Sequence, residues 1–224
     1  MPLIFGPNFL ILVPAIILAA YAQWKVRSTY AKYSSVSALR RLTARQAAEE
    51  IMSGAMITDV TIESSKRELS DHYDPTKKIL SLSNPEASSI AAIGVAAHEA
   101  GHAIQHAQGY APLSLRTAII PIARFGSQLA FPLFFLGIFT RAPSLVTFGI
   151  IAFSAAVLFT LVTLPVEFDA SRRAIVALRD RSIVNEEELG SVKEVLFAAA
   201  LTYVAAAAMA ALQLVMLLSA GRRR

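Results

Sequence analysis

The chain is 224 residues long, 55% hydrophobic and only 17% charged, with a formal net charge of +5 and no cysteine. The absence of cysteine excludes disulfides, thiolate metal sites and a cysteine nucleophile, so any metal must be held by His and carboxylate groups. The apolar residues fall in long blocks with Lys and Arg beside them. That is the profile of a membrane protein, and nucleic-acid binding is not expected.

Residues 3–22 carry no charge and suffice for one span, since ~20 residues at 1.5 Å rise match a hydrocarbon core of ~30 Å. The basic cluster follows this block rather than preceding it, which favours a retained anchor over a cleaved signal peptide. Tyr21 and Trp24 lie where interfacial aromatics sit. A polar stretch then runs from Lys25 to about Asn84. Thr43 with Gln46 three residues on forms a capping-box pattern, predicting a helix that reaches about Met52 and stops near Gly54. Residues 57–63 and 78–83 alternate apolar and polar positions and read as two strands of a small sheet. Asp71-His72-Tyr73-Asp74-Pro75 between them reads as a turn-rich connection. Pro85 and Glu86 predict the opening of a helix that extends to about Gln108.

Residues 117–139 and 145–164 are two more apolar blocks, and the five residues from Thr140 to Ser144 join them as a tight turn. They predict a helical hairpin that crosses a bilayer twice. Arg124 within its first arm must face protein or snorkel to an interface. After a polar segment at 167–194, the block 195–218 completes about four transmembrane helices and is followed by Arg222, Arg223 and Arg224. The expected fold is therefore a mainly α membrane protein, with residues 1–224 as one integral-membrane domain. A small α+β subdomain belongs to the polar segments at about 25–116 and 165–194. Those two segments fall on one side of the membrane and hold 16 of the 21 basic residues. The positive-inside rule puts them in the cytoplasm, although the three terminal arginines then lie outside.

Chemistry concentrates in His98-Glu99-Ala100-Gly101-His102. Two histidines four residues apart share one helix face and can bind one ion. Glu99 beside them can take a proton from water, whose pKa zinc lowers to about 7. A Glu among Ala, Ile and Val is costly to bury by several kcal/mol without compensation, which argues against a purely structural role. Zinc needs a third protein ligand with the fourth position left open. His106 lies on the same straight helix and His72 in a turn-like loop. Glu167 is the expected third ligand and Asp169 the second candidate, because both are acids at the inner end of a span. The alternative for these acids is simple pairing with Arg172 and Arg173.

The stretches 69–75, 96–106 and 164–173 together resemble the YugP-type bacterial membrane zinc metallopeptidases, over nearly the whole chain. More distantly, the chain is similar to the HtpX-type membrane peptidases, which carry a later Glu-x-x-x-Asp whose Glu is a ligand. Aligned so, Glu167 takes the ligand position, while Ser171 stands where those relatives have Asp. The resemblance implies one zinc ion held in a zincin-like arrangement by His98, His102 and Glu167. It also implies proteolysis of a protein or peptide substrate with Glu99 as base, and a site facing the cytoplasm of a bacterial inner membrane. In zinc peptidases of this build an edge strand pairs with extended substrate, a role open to residues 78–83. His72 and Tyr73 are candidates for a hydrogen bond to an oxyanion. The rival function is a non-proteolytic zinc-binding membrane scaffold, against which the intact Glu99 argues. The sequence leaves the oligomeric state open.

Overall fold

The computed structural model describes residues 9–65, 67 and 70–222. Residues 3–8 of the first apolar block, Leu69, Arg223 and Arg224 lie outside the described residues. A short 3-10 helix, Phe9–Leu12, leads into α1 (Val13–Ser34). There follow α2 (Ala44–Gly54), β1 (Thr61–Ser64), β2 (His72–Asp74), β3 (Ile79–Leu82), α3 (Ile90–Ala107), α4 (Ala111–Phe139), α5 (Pro143–Asp180) and α6 (Glu186–Arg222). The protein is thus mainly helical with one three-stranded sheet. Among the described residues four helical stretches have the length and composition to cross a membrane: Leu10–Ser34, Ala111–Phe139, Pro143–Asp180 and Glu186–Gly221.

These helices outrun the apolar blocks that announce them. The 38 residues of α5 extend about 57 Å at 1.5 Å per residue, nearly twice a hydrocarbon core of ~30 Å. The polar residues 167–194 are accordingly not a separate segment but the end of α5, a short turn and the start of α6. That start is capped: the Asn185 side chain accepts from the Glu188 N–H at 2.8 Å, and the Glu188 carboxylate accepts from the Asn185 N–H at 2.9 Å. Between α4 and α5 the turn is as tight as the sequence predicts, with Arg141 at φ 56° and Pro143 at the first helical position of α5.

The chain divides into two compact units. One takes residues up to Gln23, Ser114–Pro165 and those from Thr202 on. Its core joins Ala130, Phe134, Ile138, Phe153, Val157 and Leu217. Gly149 lets helices approach closely there: a Cβ on it would lie 2.8 Å from the Ala130 carbonyl oxygen. Small residues at such crossings supply the close packing that replaces the hydrophobic effect between helices in lipid.

The second unit comprises Trp24–Leu113 and Val166–Leu201. Helix α2 forms where expected, with Thr43 accepting from the Gln46 N–H and the Gln46 side chain accepting from the Thr43 N–H. Its buried face, Ala44, Ala47, Ala48, Ile51 and Met52, recurs at three- and four-residue steps. That face packs in one core with Leu80 and Leu82 of β3, Ile90 and Ile93 of α3, and Leu178, Ile183 and Val192. Truncating a side chain as buried as Ile51 costs about 2–5 kcal/mol.

The sheet corrects two expectations. Its strand order is β1-β3-β2, with β1 parallel and β2 antiparallel to β3. Residues 78–83 therefore contain the central strand, not an edge, and the backbone of β3 is paired on both sides. His72–Asp74 is a strand rather than part of a turn, while Asp74 still accepts from the Thr76 and Lys77 N–H groups to close the turn that follows. Helix α3 also begins later than Pro85. The carbonyls of Pro85 and Ala87 are engaged by the N–H groups of Arg45 and Ala44 at the start of α2. The segment before Ser89 thus caps another helix, and Ser89 becomes the N-cap of α3.

Candidate metal centre

Helix α3 is built to present its histidines. Ser89 accepts from the Ala92 N–H at 3.3 Å, and the 18 residues that follow contain no proline. Four residues are just over one turn, so His98 and His102 face the same way. Their ring centroids lie 4.8 Å apart, edge to face. Between them Gly101 removes a barrier: a Cβ there would run into the carbonyl oxygen of Ala170 on α5. The two backbones can meet only because that position has no side chain.

The close approach brings Glu167 of α5 to both imidazoles. Its Oε2 lies 3.1 Å from His98 Nε2 and 3.7 Å from His102 Nε2. One ligand atom from each of His98, His102 and Glu167 lies within 4.8 Å of the others. Two imidazoles and a carboxylate form a donor set suited to zinc, and their mutual distances suit a single small ion. The electrostatics agree. Burial disfavours a charged His102, but the Glu167 and Glu99 carboxylates more than offset it and raise its pKa above the ordinary imidazole value. A pocket that favours a proton on a buried imidazole favours a cation. Glu99, on the same helix, is 7% exposed.

The other nitrogen of each imidazole is also engaged. His98 Nδ1 meets Ser171 Oγ at 3.1 Å, and His102 Nδ1 meets Gln105 Oε1 at 3.0 Å. Gln105, fully buried, donates through Nε2 to the Val166 carbonyl at 2.8 Å and to Asp169 Oδ2 at 2.9 Å. Asp169 is bound in turn by Arg172 and Arg173, and Arg173 also reaches Gln108 and lies over the Tyr110 ring.

The two acids considered as third ligand thus part company. Glu167 joins the histidines, and Asp169 pairs with the arginines. The remaining histidines stay out of the cluster. His106 Nδ1 is 2.8 Å from the Tyr73 hydroxyl, and His72 on β2 is exposed, its Nδ1 bonded to the Ser70 carbonyl at 2.9 Å. Burial, with the Asp59 and Asp74 carboxylates nearby, pushes Tyr73 up to about 12, so its phenol stays protonated. Sequence reasoning missed Gln105 altogether. Its one local signal is the position three residues after His102, on the same helix face.

Residues 8–222 match the family described as "Putative neutral zinc metallopeptidase". The chain is similar to the "Putative membrane protease YugP" of Bacillus subtilis (strain 168), at 45% identity over 197 residues, which cover 87% of this chain and 88% of that protein. No solved structure matches it.

Proposed function

The chain belongs to the neutral zinc metallopeptidase family, and from that premise we propose that it is a membrane endopeptidase with one zinc site formed by His98, His102 and Glu167. The observation that carries this reading is the convergence of those three ligand atoms from two helices, α3 and α5, within 4.8 Å. When bound, the ion supplies Lewis acidity that polarises a peptide carbonyl and makes water a nucleophile at neutral pH.

The chain's own residues do the rest. The α3 turn and the Gly101 approach hold the donors at fixed separation, so little reorganisation accompanies metal binding or reaction. Glu99 accepts the proton that water loses on attacking the carbonyl carbon, and returns it to the amide nitrogen as the C–N bond breaks. Burial of Glu99 among the apolar residues of α3 keeps bulk water from competing for that proton. The zincin-like character of the subdomain belongs to this reading. So do a cytoplasmic face for the site, on the side of the two basic segments, and an inner-membrane location.

The test is zinc content and casein cleavage of the detergent-purified protein, beside Glu99→Gln and Glu167→Ala. Wild type should carry about one zinc and cleave, by the coordination expected of such sites. Glu99→Gln should keep the metal and lose at least about a hundredfold in rate, the low end for removing a general base. Glu167→Ala should lose the metal. A wild type that binds zinc but cuts no member of a protein and peptide panel would favour the scaffold role. A Glu167→Ala variant with full zinc content would remove Glu167 from the ligand set.

A further inference from the structure

We infer that Gln105, locked by Asp169 and the Val166 carbonyl, is the positioning residue that fixes the tautomer and orientation of His102; this rests on the metal site proposed above. The argument is one of donors and acceptors. A carboxamide has a donor end and an acceptor end that its shape alone does not distinguish. Here the surroundings decide. Asp169 Oδ2 and the Val166 carbonyl lie 2.9 and 2.8 Å from one end of Gln105. Both accept: a backbone carbonyl has no proton to give, and Asp169 Oδ2 also accepts from Arg173 Nε. The NH₂ group must face them, so the carbonyl oxygen faces His102 Nδ1 at 3.0 Å.

That oxygen can only accept, so His102 Nδ1 must carry the proton. The Nε2 lone pair is then the one turned toward Glu167 Oε2, 3.7 Å away, where a metal would be shared. With Nδ1 bonded to Gln105, Nε2 is the nitrogen left to ligate. A carboxylate or carbonyl commonly does this directly for a ligand histidine. In this chain the carboxylate stands one residue further off, and Gln105 relays its direction. Full burial strengthens the device, because no water can take over a lost partner. The Arg172 and Arg173 clamp holds Asp169 in place. Arg173 is itself anchored to Gln108 and Tyr110.

The test separates positioning from packing by the order of two substitutions. Gln105→Leu fills the space but offers His102 nothing. Gln105→Glu keeps an acceptor at Nδ1, and with at most one proton can keep only one of the contacts to Asp169 and the Val166 carbonyl. Packing alone predicts that Leu is the milder change, since it buries no polar group. Positioning predicts the reverse. Zinc affinity of the full-length protein in detergent, read by competition with a colorimetric chelator, should fall about 10–100-fold in Gln105→Leu, the usual cost of removing such a partner. It should fall less in Gln105→Glu.

Asp169→Ala leaves Gln105 free to turn and should also weaken zinc. The double Gln105→Leu, Asp169→Ala variant should match Gln105→Leu within about twofold, because the two act in series. If Gln105→Leu does not fold, Asp169→Ala set against Gln105→Glu gives the same ordering. A Gln105→Leu protein that binds zinc as tightly as wild type, or more tightly than Gln105→Glu, overturns the inference and leaves the peptidase reading standing. A wild type that binds no zinc overturns both.

Discussion

Ser171 stands one turn beyond Glu167 on α5, and its hydroxyl meets His98 Nδ1 at 3.1 Å. With a metal held at His98 Nε2, beside Glu167, Nδ1 would be the donor and the serine oxygen its acceptor. A hydroxyl holds an imidazole less firmly than a carboxylate, because the bond to an ionised acceptor is about twice as strong. Ser171 is only partly buried, so water can replace it in part. Ser171→Ala should therefore weaken zinc binding by less than about tenfold, the lower edge of the range for such partners. Ser171→Asp should bind zinc at least as tightly as wild type. Chelator competition reads both, and an Asp variant that loses zinc would show that the hydroxyl does not act on His98. This scale was legible in the sequence only where the chemistry is local. His98, Glu99 and His102 share one turn of helix, so their spacing alone brings them together. Glu167 was legible as an acid at the end of an apolar block. Asp169 was legible as a second candidate whose alternative was pairing with Arg172 and Arg173, and Ser171 as the residue at the relatives' Asp position. Their bonds to Gln105 and His98, and Gln105 itself, were not, because such groups take partners from whatever helix packs against them, 61 to 73 residues away here.

Between elements, the crossing of α3 and α5 decides whether the ligands meet, and Gly101 decides the crossing. A Cβ at Gly101 would collide with the Ala170 carbonyl, a backbone atom that cannot swing aside. Gly101→Ala should thus force the helices apart and cost about 3 kcal/mol, the upper part of the usual range for overpacking. Zinc retention should fall with it, since Glu167 rides on α5. Gly54 supplies the contrast. The atoms nearest its added Cβ would be those of the flexible Arg181 guanidinium, and the position ends α2 at an exposed site. Gly54→Ala should leave both zinc content and thermal unfolding near wild type. Equal behaviour of the two variants would mean that the crossing tolerates more space than its backbone contact implies. The elements themselves were readable to different degrees. The capping box fixed the start of α2 because Thr43 and Gln46 need no other partner than each other. The start of α3 was misplaced because Pro85 and Ala87 give their carbonyls to α2. Strand β2 was hidden in a turn-like sequence because three residues have no periodicity to display, and pairing with β3 alone defines them.

For the whole molecule, the proposed reading of the apolar blocks and the charge beside them is a path through the membrane that a direct experiment can check. Four crossings place Lys77 in the β2–β3 turn and Glu187 at the start of α6 on one side, and Thr140 in the α4–α5 turn on the other. On the reading proposed above, the bias of 16 basic residues in 21 toward the first side would make that side cytoplasmic. All three positions are exposed, and the chain has no cysteine of its own. Lys77→Cys, Glu187→Cys and Thr140→Cys therefore each carry a single reporter thiol. In intact bacterial cells a membrane-impermeant maleimide should label Thr140→Cys, whereas Lys77→Cys and Glu187→Cys should react only after permeabilisation. The reverse pattern would turn the metal site toward the outside and make the arginines after α6, not the two long basic segments, the determinant of orientation. Labelling of Lys77→Cys and Glu187→Cys from opposite sides would break the path itself. An α4–α5 hairpin returns the chain to the side it left, and that return is what lets Glu167 and the α3 histidines occupy the same compartment.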